Sequence, residues 1–189
     1  MTSRTKQLDL SQKSVVLATL QLTREGDRKM PWPTRFQVVP LAPIAGQGSE
    51  TFAVDSDGMD YGEDGRHYLV PLRLSLPPGK YAFTQVTGEI SAFPLKGIVT
   101  APLGLSFELP ARSVVYVGRM NVHMRTRKDD GEPPAGAPFP IVNQSVLGIT
   151  SSTFDVSVAD ESTRDLTLFR ESFPVLEAMD IKVQPPRKP

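Results

Sequence analysis

The sequence predicts an all-β protein, namely an antiparallel β-sandwich with one short C-terminal helix. About eight to ten short apolar runs are separated by turn-forming residues, which is typical of a sandwich or barrel. The chain of 189 residues contains 18 prolines and 14 glycines, enough to punctuate many turns. The longest run, residues 111–127, alternates apolar and polar positions as one strand of a half-buried sheet does.

Alternation also predicts the strands of the first half, because successive side chains of a strand point to opposite faces. These strands are expected at residues 14–22, 34–41, 51–54, 66–76 and 80–87. Pro40 should end the second strand or place it at a sheet edge, since proline lacks the N–H that a ladder needs. The joint Pro77-Pro78-Gly79 predicts a hairpin or a corner between the last two strands.

Three short apolar runs come next, and prolines separate them from one another and from the long strand. The runs are residues 90–93, 97–100 and 105–109, and the prolines are Pro94, Pro102 and Pro110. Because proline within sheets is confined to edges, strand starts and bulges, we expect short or edge strands here.

The long strand is expected to carry one apolar face along its whole length. That face consists of Val114, Tyr116, Gly118, Met120, Val122 and Met124. The opposite face turns polar after Val117, which suits a strand whose far end is exposed. Gly118 interrupts the pattern, and a glycine here indicates a bulge or a close backbone approach rather than a strand end.

One helix is expected near the C-terminus, at about residues 161–173. Asp160 or Ser162 is able to cap it, and Pro174 should stop it because proline disfavours helix at the preceding residue. The residues at helical spacing that should face the core are Leu166, Phe169 and Phe173.

The remaining segments complete a single predicted domain at residues 13–183. A loop at 127–140 precedes candidate strands at 141–147 and 153–158. The domain is expected to follow a flexible N-terminus, residues 1–12, which is polar and is not a secretion signal. Residues 184–189 form a tail.

Composition excludes several classes of function. Lys plus Arg and Asp plus Glu each number 21, so the formal net charge is zero and no nucleic-acid partner is expected. The absence of cysteine removes disulfides, thiolate catalysis and cysteine-ligated metal sites. No apolar run is long enough to form a transmembrane segment.

Three pieces of the chain resemble a known group of proteins. They are LPPGKYAF at residues 76–83, SVVYVGRMNV at 113–122 and DVSVADESTRDLTLFRESFPVL at 155–176. The first resembles the prealbumin-like sandwich domains found as carboxypeptidase regulatory-like modules, where a turn of type L-x-P-G-x-Y joins two strands. In this order the three resemble small bacterial envelope proteins and lipoproteins of unknown function, over roughly residues 66–177.

This resemblance implies a binding or structural module, often in the periplasm, and supplies no catalytic residues. It implies a location in the periplasm or cell envelope with protein partners there, and the cytoplasm is the alternative. The chain lacks the signal and the anchoring cysteine of the lipoproteins. Membrane anchoring is therefore expected only if a lipobox has been trimmed ahead of residue 1.

The acidic segment of residues 55–64 is the best candidate for a metal site. Its candidate ligands are Asp55, Asp57, Asp60 and Glu63. Calcium prefers closely spaced carboxylate and carbonyl oxygens on a loop that glycine allows to bend. The spacing does not match the EF-hand loop, and a solvated acidic loop is the simpler interpretation. No other cofactor is indicated.

A polar strip on the long strand is the second candidate site. It consists of Arg119, Asn121, His123 and Arg125. It is either an anion-binding surface or the solvated face of a half-buried sheet. The basic residues near it form a local patch unless the acidic segments at 50–64 or 155–180 neutralise them.

Trp32 lies between Pro31 and Pro33 and is a candidate for an interaction residue. A tryptophan held by two prolines serves either as a rigid exposed anchor for a partner or as a lid on one end of a sandwich core. The sequence does not separate these alternatives.

Function hypotheses follow from these features. The first is a non-enzymatic binding or structural module of a bacterial cell envelope, acting through protein–protein contacts. The alternative is a calcium-dependent carbohydrate- or surface-binding module that uses the acidic segment. An enzyme is not expected, since no nucleophile, base or cofactor motif is legible.

Overall fold

Strands dominate the structure, a computed structural model that describes residues 4–42, 48–61, 66–92, 95–136 and 148–186. Strands make up 55% of the described residues and helices 9%, so the predicted all-β class is confirmed. Among the helices of the described ranges, none has the length and apolar character needed to cross a membrane.

The described residues form ten strands, one α-helix and one 3₁₀ turn. The strands are β1 (Ser14–Arg24), β2 (Trp32–Pro40), β3 (Glu50–Ala53), β4 (Asp60–Tyr61), β5 (His67–Leu76), β6 (Gly79–Ala92), β7 (Leu95–Leu109), β8 (Val114–Thr126), β9 (Ser152–Ala159) and β10 (Ile181–Val183). The helix α1 is Ser162–Ser172, and the 3₁₀ turn is Pro174–Leu176. The predicted strand at 141–147 lies outside the described residues.

Two sheets contain these strands. The six-stranded sheet has the order β10-β8-β1-β5-β4, with β9 also on β8, and the four-stranded sheet has the order β3-β2-β6-β7. Within the first sheet β8 runs parallel to β1 and β10, and the other pairs are antiparallel. One edge of β8 is shared, because β10 pairs with its first residues and β9 with its later ones.

The Pro-Pro-Gly joint is a corner between the two sheets. β5 ends at Leu76 in the six-stranded sheet, and β6 begins at Gly79 in the four-stranded sheet. The hydroxyl of Tyr81 donates a hydrogen bond to the carbonyl of Pro77 at 2.8 Å. This bond ties the start of β6 back to the corner, so the hairpin alternative is wrong and the corner is confirmed.

The prediction of separate short strands before the long strand is wrong. β7 runs without interruption from Leu95 to Leu109 and passes through Pro102. Proline is tolerated there because β7 is an edge strand and because the pairing with β6 shifts register beside it. Gly104 has φ 58°, which supports this bulge. The expected edge position is therefore correct.

Gly118 places a bulge in β8 and reverses which residues face the core. It has φ 99°, and the register with β1 shifts between Leu17 and Thr19. The residues of β8 that join the core between the sheets are Val115, Val117, Met120, Val122 and Met124. The prediction of one continuous apolar face is wrong, because the extra residue of a bulge switches the alternation.

A second core lies on the other face of the six-stranded sheet. Its buried members are Val15, Leu17, Val114, Tyr116, Phe169, Phe173 and Leu176. Phe169 of α1 and Phe173, the residue after its end, enter this core at the predicted spacing, and each fully buried side chain of this size contributes about 1.5–3 kcal/mol. From the N-terminal segment, Leu8 and Leu10 pack against the same cluster.

The helix begins with an aspartate turn in place of a conventional side-chain cap. Glu161 occupies the N-cap position without a side-chain bond to the helix. Asp160 Oδ1 instead accepts a hydrogen bond from the N–H of Ser162 at 3.0 Å. The helix ends before Pro174, as predicted, and a 3₁₀ turn follows.

Replacement of Gly118 by alanine should destabilise the protein by about 1–3 kcal/mol, because its positive φ strains any other residue. A β carbon there would also lie 3.1 Å from the carbonyl oxygen of Ala159. Gly26→Ala isolates the effect of a positive φ, since no atom lies within 4 Å of an added β carbon there. Gly48→Ala introduces neither a strained φ nor a close contact. Urea denaturation should show the largest loss of stability for the alanine variant of Gly118, a smaller loss for that of Gly26 and the smallest for that of Gly48. Equal stability of the three variants would contradict this account of the bulge.

Candidate functional site

The acidic segment is held by Arg73. Both carboxylate oxygens of Asp55 accept hydrogen bonds from Arg73 Nη2, at 2.8 and 2.7 Å. Nη1 of the same guanidinium donates to the carbonyls of Asp57 at 3.0 Å and Pro71 at 2.8 Å. The guanidinium lies 4.0 Å from the ring centroid of Phe173, so it also anchors the segment against the second core.

The four candidate calcium ligands are placed in different ways. Asp55 is bonded to Arg73, Asp60 is exposed on β4, and Glu63 lies outside the described residues. The N–H of Asp57 donates to Asp55 Oδ1 at 3.0 Å, a bond typical of an aspartate turn. Within the described parts of the chain, no three histidine, aspartate or glutamate side chains converge as metal ligands.

The polar strip of β8 divides into a buried end and a half-exposed end. Arg119 is 5% exposed and bonds to Asp165 of α1, which has no solvent exposure. Arg119 Nη2 donates to one oxygen of Asp165 and Nε to the other at 3.3 Å. The hydroxyl of Tyr116 donates to Asp165 Oδ2 at 2.6 Å, and Gln21 accepts from Arg119 Nη1 at 3.2 Å.

Burial and neighbouring charges keep Tyr116 and Arg119 protonated in this cluster. Burial raises the pKa of Tyr116, and its hydrogen bond to Asp165 adds to the shift. Burial opposes the charge of Arg119, but the hydrogen bonds and the charge of Asp165 outweigh it and raise the pKa of the guanidinium. Tyr116 and Arg119 therefore remain donors to one shared carboxylate, which suits an anchor for α1.

The half-exposed end of the strip is neutralised by acidic neighbours. Nδ1 of His123 shares a 2.8 Å hydrogen bond with the hydroxyl of Thr23. Arg125 donates from Nε to Asp155 at 2.7 Å and from Nη2 to Glu132 at 2.7 Å. Of the two alternatives for the basic patch, the structure therefore supports neutralisation in space.

Asn121 is half-buried in the middle of the strip. It lies opposite Gln21 of β1 and Ser157 of β9 in the sheet register. At the end of the strand, Arg127 donates to the carbonyls of Glu132 at 2.8 Å and Thr150 at 3.1 Å. The loop after β8 is thus fastened to the strip by side-chain bonds.

Trp32 and Tyr61 form an exposed pair that we call the aromatic surface. Trp32 is 44% exposed and Tyr61 61% exposed, and their ring centroids are 6.4 Å apart at an interplanar angle of 65°. Trp32 also packs edge-on against buried Tyr68, with 5.3 Å between centroids. Trp32 thus both covers the core and presents an exposed face, which combines the two alternatives from the sequence.

Tyr61 was missed by sequence reasoning because β4 is only two residues long. Alternation cannot be recognised in so short a strand. The one signal available was a tyrosine within an otherwise acidic and glycine-rich segment.

Comparison with known proteins adds no family to these findings. No protein-family model matches the chain, and no curated protein matches it. A leucine-rich repeat protein from Bacteroides thetaiotaomicron VPI-5482, known from a crystal structure, is similar with 16% sequence identity and a TM-score of 0.37. The match covers 59% of this chain and 14% of that chain, and a likeness at this level carries no argument. The fold and site thus define an all-β protein of two sheets.

Asp165→Ala should destabilise the protein by about 3–5 kcal/mol, because it leaves the charge of Arg119 buried without the carboxylate that balances it. Tyr116→Phe should cost less, about 1–3 kcal/mol, since one donor is lost. The double variant Asp165→Leu with Arg119→Met should recover much of the loss, because an apolar pair removes both charges. Denaturant unfolding measures all three. A double variant no more stable than Asp165→Ala would contradict the pairing.

Stability should fall in acid through the partners of Arg125. Hydrogen bonds from Arg125 lower the pKa of Glu132 to about 2, from an ordinary 4.5, and they also lower the pKa of Asp155. A carboxylate whose pKa is lower in the folded than in the unfolded state stabilises the fold fully above its unfolded-state pKa. This stabilisation is lost as pH falls through the folded-state pKa. Unfolding free energies measured from pH 6 to pH 2 should therefore decline below about pH 4.5.

Arg125→Gln should flatten this decline, because neither carboxylate then has its guanidinium partner. Arg35→Gln, a change at an exposed position of β2, is the matched control and should keep the slope of the wild type. An unchanged slope in Arg125→Gln would show that other groups cause the acid sensitivity.

Proposed function

We propose that this chain is a non-enzymatic binding or structural module of a bacterial cell envelope, acting through protein–protein contacts. The aromatic surface of Trp32 and Tyr61 is the observation that carries the proposal. Tryptophan and tyrosine are enriched among residues that dominate binding energy at protein interfaces. Two such rings exposed in mutual contact therefore favour a surface that a protein partner covers.

The aromatic surface is held rigidly, which favours binding. Trp32 opens β2 between two prolines and rests edge-on against the ring of Tyr68, which is only 7% exposed. Tyr68 in turn donates a hydrogen bond to the carbonyl of Met30 at 3.4 Å. Because the indole is already oriented, a partner gains its contact area with a small loss of side-chain entropy.

We further propose that the two sheets form a prealbumin-like sandwich. The corner supports this, since Leu76 and Gly79 lie at the junction of the two sheets and Tyr81 bonds back to Pro77. The envelope location is supported by the resemblance of residues 66–177 to envelope proteins, and the cytoplasm is its alternative.

A structural and binding role is also supported by how the charged side chains are used. Four ion pairs of the described residues join Arg73 to Asp55, Arg119 to Asp165, and Arg125 to both Asp155 and Glu132. Each ties one segment of the fold to another. For the calcium-dependent alternative, Asp55 would first have to release Arg73, which costs two charge-assisted hydrogen bonds.

Photo-cross-linking in cells tests the proposal. A photoreactive residue in place of Glu89, which is exposed and lies opposite Trp32 in the register, should capture proteins of the periplasmic or membrane fraction. Trp32→Ala should abolish this capture and weaken the purified partner's affinity about 30-fold or more. The chain contains 1 tryptophan, so its fluorescence reports directly on the aromatic surface.

Val183→Ala is the matched control, because Val183 is an exposed apolar residue of β10, at the opposite edge of the six-stranded sheet from β4. It should leave capture unchanged. Equal capture by the wild type and Trp32→Ala would refute a role for the aromatic surface. Partners drawn from the cytosol alone would refute the envelope assignment.

A further inference from the structure

Arg24, the last residue of β1, is a buried cation with few partners. It is 9% exposed, and its Nη1 donates to the carbonyl of Lys29 at 2.7 Å. A guanidinium has five N–H donors, and buried charges in proteins are normally paired with an opposite charge. Among the ion pairs of the described residues, none includes Arg24.

A second guanidinium approaches Arg24 over the backbone of Gly148. A β carbon on Gly148 would collide with Nη1 of Arg28 and would lie 3.1 Å from Nη2 of Arg24. The two guanidinium groups therefore converge on one point. Burial lowers the pKa of Arg24, and the charge of Arg28 adds to the effect.

The two nearest carboxylates in sequence, Glu25 and Asp27, form no ion pair with Arg24 or Arg28. Glu25 accepts a hydrogen bond from the N–H of Thr126 at 3.0 Å, and Asp27 pairs with Arg66 at 3.1 Å. The sequence of residues 137–147, which lie outside the described residues, contains no aspartate or glutamate. Among the ion pairs of the described residues, neither arginine thus has a carboxylate partner.

A cavity of about 390 Å³ lies in front of this pair. Its lining includes Arg24 and Arg28 together with Ser151 and Ser152, and also the two carboxylates engaged elsewhere. Arg125 contributes to the wall, but its guanidinium is bonded to Asp155 and Glu132. The volume is ample for a small oxyanion with its water.

We propose that this cavity binds a phosphate or sulfate group through Arg24 and Arg28. Two guanidinium groups that converge offer the forked N–H donors that match the oxygens of a tetrahedral oxyanion. The bound anion would pair with two guanidinium groups that form no ion pair among the described residues. The group comes either from a free anion or from a lipid headgroup. This inference is independent of the aromatic surface, because it uses different residues.

Calorimetry and thermal unfolding with inorganic phosphate and sulfate test the free-anion form, with chloride at matched ionic strength as the reference. The wild type should give saturable heat and a rising Tm, because a ligand that binds only the folded state stabilises it. Arg28→Gln should weaken binding at least about tenfold, since charge-assisted bonds are lost. Arg28 is exposed, so this variant should fold normally.

Co-sedimentation with vesicles of phosphatidylcholine, with and without phosphatidylglycerol, tests the headgroup form. Sedimentation that requires phosphatidylglycerol and is lost in Arg28→Gln would assign the site to a headgroup phosphate. Arg170→Gln, which removes an exposed arginine of α1, is the matched control and should behave as the wild type in both assays. The proposal is overturned if neither probe binds, or if Arg28→Gln binds as well as the wild type.

Discussion

The buried carboxylate of Asp165 is the constraint on which the layer formed by α1 depends. It accepts hydrogen bonds from Tyr116 and Arg119 and has no solvent exposure. A buried charge is tolerated only when its partners satisfy it, so a helix that shifted along β8 would lose them. The same anchor sets where Phe169 and Phe173 enter the second core. Polar bonds therefore determine the register of an otherwise apolar contact.

The bulge at Gly118 makes this cluster possible. Tyr116 and Arg119 are three positions apart in β8, and three positions along a regular strand place side chains on opposite faces. The extra residue brings both to the face that α1 covers. Because of the extra residue, Val117 and Met120 both face the core between the sheets. One glycine with a positive φ thus coordinates the packing on both faces of the sheet.

The sequence predicted the strands and the helix well, because alternation and helical spacing are local signals. It could not predict the continuous β7, since tolerance of Pro102 depends on that strand's position at an edge. It could not predict that Asp165 is buried, because an aspartate in the first turn of a helix is ordinarily solvated. Of the candidate site residues, the sequence singled out Trp32, whereas Tyr61 came from strand pairing that no local pattern shows.

The connection between β1 and β2 links the proposed anion site to the aromatic surface. Arg24 ends β1 and donates a hydrogen bond to the carbonyl of Lys29. Trp32, three residues after Lys29, opens β2. Between them, the carbonyl of Met30 accepts a bond from Tyr68. Most other strong side-chain bonds of the described residues join one segment of the protein to another, and they leave those groups satisfied. Arg24, which has no ion pair among the described residues, and the exposed indole of Trp32 lie near the two ends of this connection, where we propose that binding occurs.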